Sequence, residues 1–327
     1  MPPLSNWRGG DRAGDDARWH GLLDRLPFRL GIIPSEISDD LDVALPVVRE
    51  LGLRHVELSY VYGKPFQSLS STELREVAAR LHDAGMEVVV GGTECLKPVL
   101  IGHVRDDPRE EPYFREHLAM LRHALSAARL LGASIVRLYA FRKEGMVGLG
   151  NPSPILPGGG SIPDHVVEMA AIGLRLAGDL ALDAGITLAV ENVRSCWANT
   201  GGNTATLVAA ADHPAVRICW DPANDHVSGG VPYPSGYEAV RPYLVSVHLK
   251  DARIVDRAGG YAAWAPVGTG EVDLVAQLRA LIADGFRGLA SLETHWATSD
   301  GSRAEGTRIS FAGLVAAIER AGECLAE

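Results

Sequence analysis

Polar side chains end the last four apolar segments of this sequence. Segment ITLAVEN contains Glu191, VRICWD ends in Asp221, LVSVHLK contains His248 and LASLET contains Glu293. Three carboxylates and an imidazole cannot share a buried site without a large penalty, because like charges repel strongly in a low dielectric. A divalent cation removes that penalty. The pattern therefore predicts one bound metal ion, although a salt bridge at the rim is an equal alternative for any single residue of the four.

The chemistry of this set narrows the metal. Carboxylate oxygens dominate and a single imidazole nitrogen completes the set, which favours Mn²⁺ or Mg²⁺. Co²⁺, Fe²⁺ and Zn²⁺ are also compatible with these donors.

The elements that must position these residues recur along the chain. Short apolar, β-branched segments, each followed by a candidate helix, are typical of strands buried on both faces. They lie at 29–34, 54–60, 86–92, 134–141, 186–192, 216–221, 244–250 and 289–294. The clearest helices are predicted at 71–84, 113–131, 164–184, 271–285 and 309–325. Eight parallel repeats close a sheet on itself, so we predict an α/β fold, a (β/α)₈ TIM barrel.

Glycines mark the junctions between helices and strands. In ELGLRHVEL, DAGMEVVV, LLGASIVRL, DAGITLAV and DGFRGLASL, a glycine stands between a helix and the next strand. Glycine in the left-handed conformation commonly ends a helix. An open doubly wound sheet is the alternative fold, but it normally carries a glycine-rich phosphate loop after the first strand. That position reads IIPSEISDD and contains no glycine.

Long segments follow three of the strands, at 93–112, 142–163 and 251–270, whereas the segments that precede strands are short. In an α/β barrel, the connections after the strands form the face that carries the active site. Long segments of this kind commonly bind ligands.

Composition limits the function. The chain has 327 residues, 46% of them hydrophobic, and a net charge of −10, which argues against a nucleic-acid-binding surface. We predict one catalytic barrel domain at 29–327 and an N-terminal extension at 1–28. The four cysteines are dispersed, and neither a secretory signal nor a membrane-spanning segment is recognisable. We therefore expect a cytoplasmic protein that acts on a small molecule and does not enter a membrane.

The segments ENVRSCWANTGGNT, WDPAND, VHLKDAR, PVGTGEVD and SLETHW follow one another in this order. With them, residues 29–325 resemble the xylose isomerase-like TIM-barrel superfamily of sugar phosphate isomerases and epimerases. In its ketose 3-epimerases, matching residues bind one divalent metal and two glutamates serve as acid and base. The resemblance implies that Glu191, Asp221, His248 and Glu293 are metal ligands, and that Glu191 and Glu293 are catalytic.

These residues lead to a predicted function. The metal would polarise a carbonyl and a neighbouring hydroxyl of a keto-sugar or sugar derivative, and a glutamate would remove the proton next to the carbonyl. Return of a proton to the enediolate gives an isomerase or epimerase. The alternative is a lyase that uses the same enolate, such as a dehydratase or an enzyme that cleaves 3-oxo-glycosides or C-glycosides. Either enzyme could act as a homo-oligomer or with a small partner subunit.

Two further hypotheses have less support. The endonuclease branch of the superfamily uses more histidine ligands and a basic groove, which the negative charge does not favour. A sugar-binding protein without activity usually lacks a metal ligand, whereas all four candidates are present here.

The residues predicted around the metal differ from the epimerase pattern. The epimerases have a substrate-contacting histidine where this chain has Asn224, and an asparagine cannot act as a base near neutral pH. His226 and His295 lie close to ligand positions and are candidates for that base, with a surface or structural histidine as an equal alternative. Arg253 matches a family arginine that contacts substrate oxygens, with an exposed loop arginine as the alternative. Trp264 is a candidate wall for a sugar ring, or packs under a loop.

Three charged residues interrupt or follow apolar strands. Glu57 and Arg137 are expected to point into the barrel, either as a buried ion pair or as substrate ligands. Lys250 follows His248 in the same segment, and we expect it to point away from the His248 side.

Overall fold

The computed structural model describes residues 21–145 and 153–323. The strands in chain order are β1 (Arg29–Ile32), β2 (His55–Leu58), β3 (Tyr60–Val61), β4 (Lys64–Pro65), β5 (Glu87–Gly92), β6 (Ile135–Leu138), β7 (Thr187–Glu191), β8 (Val216–Trp220), β9 (Leu244–Leu249), β10 (Asp251–Asp256), β11 (Tyr261–Ala265) and β12 (Leu289–Leu292).

Eight of these strands form a closed barrel in the order β1-β12-β9-β8-β7-β6-β5-β2, and every neighbouring pair is parallel. The predicted (β/α)₈ barrel is confirmed, and each predicted strand segment contains one barrel strand. The open doubly wound sheet is excluded because β1 pairs with β12. Two antiparallel hairpins, β3-β4 and β10-β11, lie outside the barrel sheet. The second hairpin gives the segment at 251–270 a regular structure.

The helices surround the barrel. They are α1 (Leu41–Glu50), α2 (Ser71–Asp83), α3 (Pro112–Leu131), α4 (Asp164–Ala184), α5 (Gly201–Ala211), α6 (Pro222–Ser228), α7 (Tyr237–Val240), α8 (Leu274–Ala283) and α9 (Arg303–Glu323). The five predicted helices are present, and α9 begins before the predicted residue 309. The predicted junction glycines take positive φ angles: Gly52, Gly85, Gly132, Gly185 and Gly285 lie between +63° and +79°.

The barrel interior has an apolar base and a charged upper layer. A small buried cluster fills the base and is separate from the large core between sheet and helices; it contains Val89, Val90, Ile135, Ala189, Cys219 and Leu289. Side chains two residues apart in a strand point to the same face. Glu191 therefore stands above Ala189, and Glu293 lies beyond Leu289 on the same face. The polar layer follows directly from this alternation.

The predicted extension is only partly described. Leu22, Leu23 and Leu26 are half-buried against the core, as expected for a segment that packs back on the body. Residues 1–20, residues 146–152 of the long segment after β6, and Cys324 lie outside the described residues. The boundary between residues 28 and 29 stays a prediction. None of the helices described here combines the length and the apolar character needed to cross a membrane.

Candidate metal centre

The four sequence-predicted ligands meet at the C-terminal end of the barrel. Glu191, Asp221, His248 and Glu293 are all buried, and each offers one ligand atom within 4.8 Å of the others. His248 Nδ1 lies 3.2 Å from Glu293 Oε2, 3.5 Å from Glu191 Oε1 and 3.8 Å from Asp221 Oδ2. The structure therefore brings together residues that are far apart in the sequence, in an arrangement that one cation could bridge.

Asp221 is positioned by the start of a short helix. It is the N-cap of α6, where its Oδ1 accepts a hydrogen bond from the Asn224 backbone N–H at 2.8 Å, and proline follows at the first helical position. Asn192 holds the backbone of Asp221 on both sides, since it donates to its carbonyl and accepts from its N–H. These contacts leave Asp221 Oδ2 directed at the other ligands.

His248 is oriented by a buried carboxylate. Its Nε2 lies 3.0 Å from Glu57 Oε2, which is an acceptor, so we assign the imidazole proton to Nε2. The Nδ1 lone pair then faces the cluster. A carboxylate that accepts from the far nitrogen of a histidine is a common arrangement in metal sites, because it fixes the ring and its tautomer.

The donor set fits a divalent cation. His248 Nδ1 is a buried atom without a hydrogen-bond partner among the described residues, and buried Asp221 Oδ2 has Lys250 Nζ at 2.7 Å as its ion-pair partner. Buried polar atoms are rarely left unpaired, because each such atom loses its hydration without compensation. Both atoms carry lone pairs and both face the same space. A metal ion there would satisfy them together with Glu191 and Glu293.

A charged network supports the cluster from below. Arg137 Nε donates to Glu57 Oε1 at 2.6 Å, and Arg137 Nη1 donates to Glu191 Oε2 at 2.8 Å. Gly92 leaves room for the Arg137–Glu57 ion pair, since a Cβ at this position would lie 2.6 Å from Arg137 Nη2 and 2.9 Å from Glu57 Oε1. Burial alone would raise the pKa of Glu191, but the neighbouring charge of Arg137 lowers it below its usual range. Of the two alternatives left open for Glu57 and Arg137, the structure shows the buried ion pair.

The expectation for Lys250 is wrong. Residues two apart in a strand share a face, so Lys250 lies on the same side as His248. Its Nζ is 2.7 Å from Asp221 Oδ2 and donates to Glu293 Oε2 at 2.5 Å. Burial opposes ionisation of Glu293, but the charge of Lys250 lowers its pKa below its usual range. Lys250 is therefore a cation within the cluster.

Trp264 covers this lysine. The Lys250 Nζ lies 4.6 Å from the centroid of the Trp264 ring, close enough for a cation–π contact. The His295 ring meets the same indole edge-on, with centroids 5.5 Å apart. The predicted wall residue thus lies beside the cluster, whereas Tyr261 on the same strand is largely exposed.

Asn224 contacts a ligand directly. Its Nδ2 donates to Glu191 Oε1 at 3.0 Å, and the side chain is buried. An asparagine here therefore acts on the carboxylate of Glu191, at the position where the sequence analysis expected a substrate contact.

His295 forms a second group of ligand atoms with Glu36 and Glu293. Glu36 accepts hydrogen bonds from the His295 backbone N–H at 2.6 Å and from the ring Nδ1 at 2.9 Å. These contacts hold His295 at φ +48°, a conformation that side-chain-bearing residues rarely adopt. His295 Nε2 lies 3.6 Å from Glu293 Oε1.

Two sequence-predicted residues bind elsewhere. His226 Nε2 lies 2.9 Å from Glu271 Oε2. Arg253 is exposed on β10, and its guanidinium donates to the Thr269 carbonyl. Within the described part of the chain, neither residue forms an ion pair with the four ligands, and their roles in substrate binding stay predictions.

A cavity opens beside the cluster. Its volume is about 380 Å³, within the range of small-molecule sites. The wall includes Glu36, Tyr60, Lys97, Tyr139, Glu293 and His295. The sequence analysis did not identify Glu36. This residue follows β1 and therefore lies at the same end of the barrel as the four ligands.

Comparison with known proteins agrees with this architecture. The family model described as "Xylose isomerase-like TIM barrel" matches residues 45–316, which is more than half of the chain. A search of curated proteins found no significant match.

Solved structures share the fold at low identity. A xylose isomerase-like TIM-barrel protein from Mycobacterium smegmatis, solved with magnesium, is 22% identical with a TM-score of 0.62, and the match covers 90% of this chain and 99% of that chain. A 3-keto-D-glucoside 4-epimerase from E. coli is 20% identical with a TM-score of 0.63, covering 88% and 99%. A probable 3-DHS dehydratase from Bacillus anthracis is 15% identical with a TM-score of 0.62, covering 88% and 97%.

Proposed function

This chain belongs to the xylose isomerase-like TIM-barrel family, and from that premise we propose that it is a divalent-metal-dependent isomerase or epimerase of a keto-sugar or sugar derivative. The observation that carries the proposal is the buried His248 Nδ1, which has no hydrogen-bond partner among the described residues and lies in a cluster with Asp221 and two glutamates beside a cavity. Buried lone pairs of this kind suit a cation, and a carboxylate beside it suits proton abstraction.

The proposed ligands are Glu191, Asp221, His248 and Glu293, with Mn²⁺ or Mg²⁺ as the proposed metal. Bound there, the cation would supply stabilisation of the negative oxygen that forms when a proton leaves the carbon next to a carbonyl. Glu191 and Glu293 are the proposed groups for holding and moving that proton. Glu57 and Arg137 keep the imidazole and the first glutamate in place.

The cavity would accept the substrate. We assign His295, which lines this cavity, to substrate binding, together with Asn224 and Trp264, which contact Glu191 and Lys250. Arg253 and His226 would contribute from the surrounding loops. The buried free cysteines Cys95, Cys196 and Cys219 agree with a reducing, cytoplasmic setting. The site is compatible with a homo-oligomer and with a small partner subunit.

A lyase is the second candidate, and Lys250 is the observation that favours it. Elimination must stabilise or protonate a leaving oxygen next to the base. Lys250 Nζ is a buried cation 2.5 Å from Glu293 Oε2, so its charge would stabilise an oxygen that leaves beside this carboxylate. A dehydratase or a 3-oxo-glycoside-cleaving enzyme would use this arrangement.

The test combines metal content with a substrate screen. Purified protein should contain about one divalent ion per chain, and Asp221→Asn should lose it while the exposed control Asp83→Asn keeps it. Manganese-loaded protein is then incubated with free ketoses and 3-keto-glucosides in D₂O. Deuterium at a carbon next to the carbonyl in an intact sugar supports an isomerase or epimerase, and release of water or an aglycone supports the lyase. Full metal content in Asp221→Asn would refute the site.

A further inference from the structure

A short turn after β5 brings an acid and a base into the wall of the cavity. Glu94 and Lys97 both line this space of about 380 Å³. Glu94 Oε2 lies 2.9 Å from Lys97 Nζ, and both side chains are partly exposed, so their charged ends can meet a bound molecule. In the order of the barrel strands, β5 stands across the barrel from β9, which carries His248. The Glu94–Lys97 pair therefore faces the end of a substrate that is remote from the proposed metal.

The turn holds this pair in a fixed arrangement. Leu96 has φ +66°, a left-handed conformation that side-chain-bearing residues rarely adopt. Its N–H donates to the buried Nδ1 of His117 in α3 at 3.0 Å. Backbone strain of this kind persists only where the surrounding structure fixes it, and it is common at ligand sites. Lys97 Nζ also lies 4.5 Å from the centroid of the Tyr139 ring, which restricts the lysine further.

The other basic side chains of the described cavity wall also have carboxylate partners. The pairs are Arg137–Glu57 at 2.6 Å, Arg303–Asp39 at 3.8 Å and His295–Glu36 at 2.9 Å. Sites for phosphate or carboxylate groups normally offer arginine or lysine charges that are available to the ligand. Here every such charge in the described wall already has an anion beside it.

We propose that the Glu94–Lys97 pair determines specificity: it selects a substrate that is uncharged at the end remote from the metal, a free keto-sugar or a neutral glycoside, and rejects sugar phosphates and sugar acids. This inference rests on the proposed function and deepens it. An anionic group at this position would have to displace Glu94 from Lys97 or lose its water beside a carboxylate, and such like-charge contacts disfavour the wrong partner. A sugar hydroxyl can donate to Glu94 and accept from Lys97 without breaking the pair.

Substrates that differ only in charge test this inference. Manganese-loaded protein, freed of excess metal, is incubated in D₂O with D-fructose, D-ribulose and 3-keto-D-glucose, each with and without a phosphate on its terminal carbon. Deuterium at the carbon next to the carbonyl is followed by NMR and gives kcat/KM for each compound. We expect the free sugar of every exchanging pair to be favoured by at least about tenfold, because its phosphorylated counterpart places a second anion beside Glu94.

The possible results separate the two levels of the argument. A phosphorylated sugar that exchanges as fast as its free counterpart, or faster, would overturn the inference and leave the proposed function standing. No exchange with any of these compounds would contradict the proposed function, and the inference would fall with it.

Two variants should move the selectivity in opposite directions. Glu94→Gln removes the carboxylate and frees the Lys97 charge, so the ratio of kcat/KM for phosphorylated over free sugar should rise at least about tenfold. Lys97→Gln removes the cation and leaves Glu94, so the same ratio should fall below that of the unmodified protein. A merely structural role would lower kcat/KM for both members of a pair alike and would not move the ratio.

Glu305→Gln is the matched control. Glu305 forms an ion pair of the same sequence spacing with Arg308, at 3.5 Å, and is not among the described residues that line the cavity. Its ratio should equal that of the unmodified protein. A ratio in Glu94→Gln that equals the ratio in Glu305→Gln would overturn the role assigned to the Glu94–Lys97 pair.

Discussion

The floor and the rim of the barrel mouth contain similar side chains that are held in different ways. The floor consists of Glu57, Arg137, Glu191 and His248, which are at most 4% exposed. Arg137 donates to the carboxylates of Glu57 and Glu191, and His248 also donates to Glu57. On the rim, Arg253 is exposed and binds a carbonyl of its own loop region. The difference shows that a barrel strand determines where a charged side chain points, because successive residues alternate between its two faces. In a loop, only local contacts determine the position of such a side chain.

The largest expected effect follows from breaking the floor. Glu57→Gln should lower the free energy of unfolding by about 3–5 kcal/mol, because it leaves Arg137 buried without one of its anions. It should also weaken Mn²⁺ binding by about 10–100-fold, since Glu57 orients His248. Denaturant unfolding and calorimetric titration measure the two effects.

Glu87→Gln is the matched control for that change. Glu87 begins β5 and pairs with Arg29 at the surface, where ion pairs contribute little. Equal losses in the two variants would show that the floor network has no special role.

A second prediction concerns Asp225, a buried acid of α6 that forms no ion pair within the described residues. The charge of Arg137 lowers the pKa of Glu191, whereas burial raises the pKa of Asp225 to about 7, even though the Gly201 N–H donates to it. Folded Asp225 thus keeps a proton that the unfolded chain releases above pH 3.8. Its protonation favours the folded state at low pH, and this contribution is lost as the pH rises from about 4 to 7.

Asp225→Asn should remove that slope. Between pH 4 and 7, the unfolding free energy of the unmodified protein should fall relative to the variant by up to about 4 kcal/mol, and the difference should be constant above pH 7. Denaturant unfolding at several pH values measures it. A pH-independent difference would show that Asp225 is ionised throughout, like the carboxylates of the floor.

Strand periodicity explains how far the sequence could predict this molecule. The barrel, its glycine junctions and the meeting of Glu191, Asp221, His248 and Glu293 follow from apolar segments whose polar residues stand at one end. The same periodicity places Lys250 on the face of His248, because residues two apart in a strand share a face. The expectation that Lys250 points away from His248 was therefore wrong. Sequence alone could not pair Arg137 with both Glu57 and Glu191, because those contacts join three strands across the barrel interior.

The rim was less predictable for a different reason. Glu36 reaches His295 from a loop after β1, and His295 takes a left-handed backbone conformation that no residue pattern signals. Asn224 was identified as a departure from the family, but its contact with Glu191 depends on the short helix that Asp221 caps. Positions that depend on loop geometry carry no periodic signal.

The smallest expected effect tests the rim residue that the family resemblance favoured. Arg253→Ala should change kcat/KM by no more than about fivefold, because an exposed charged side chain contributes roughly 0–1 kcal/mol. Steady-state kinetics with the substrate found in the ketose and keto-glucoside screen measures the change, and Arg257→Ala on the same hairpin is the control. A hundredfold loss confined to Arg253→Ala would mean that the β10-β11 hairpin moves on substrate binding and carries this guanidinium from Thr269 to the substrate. The rim would then be as well ordered in the substrate complex as the floor is in the free protein.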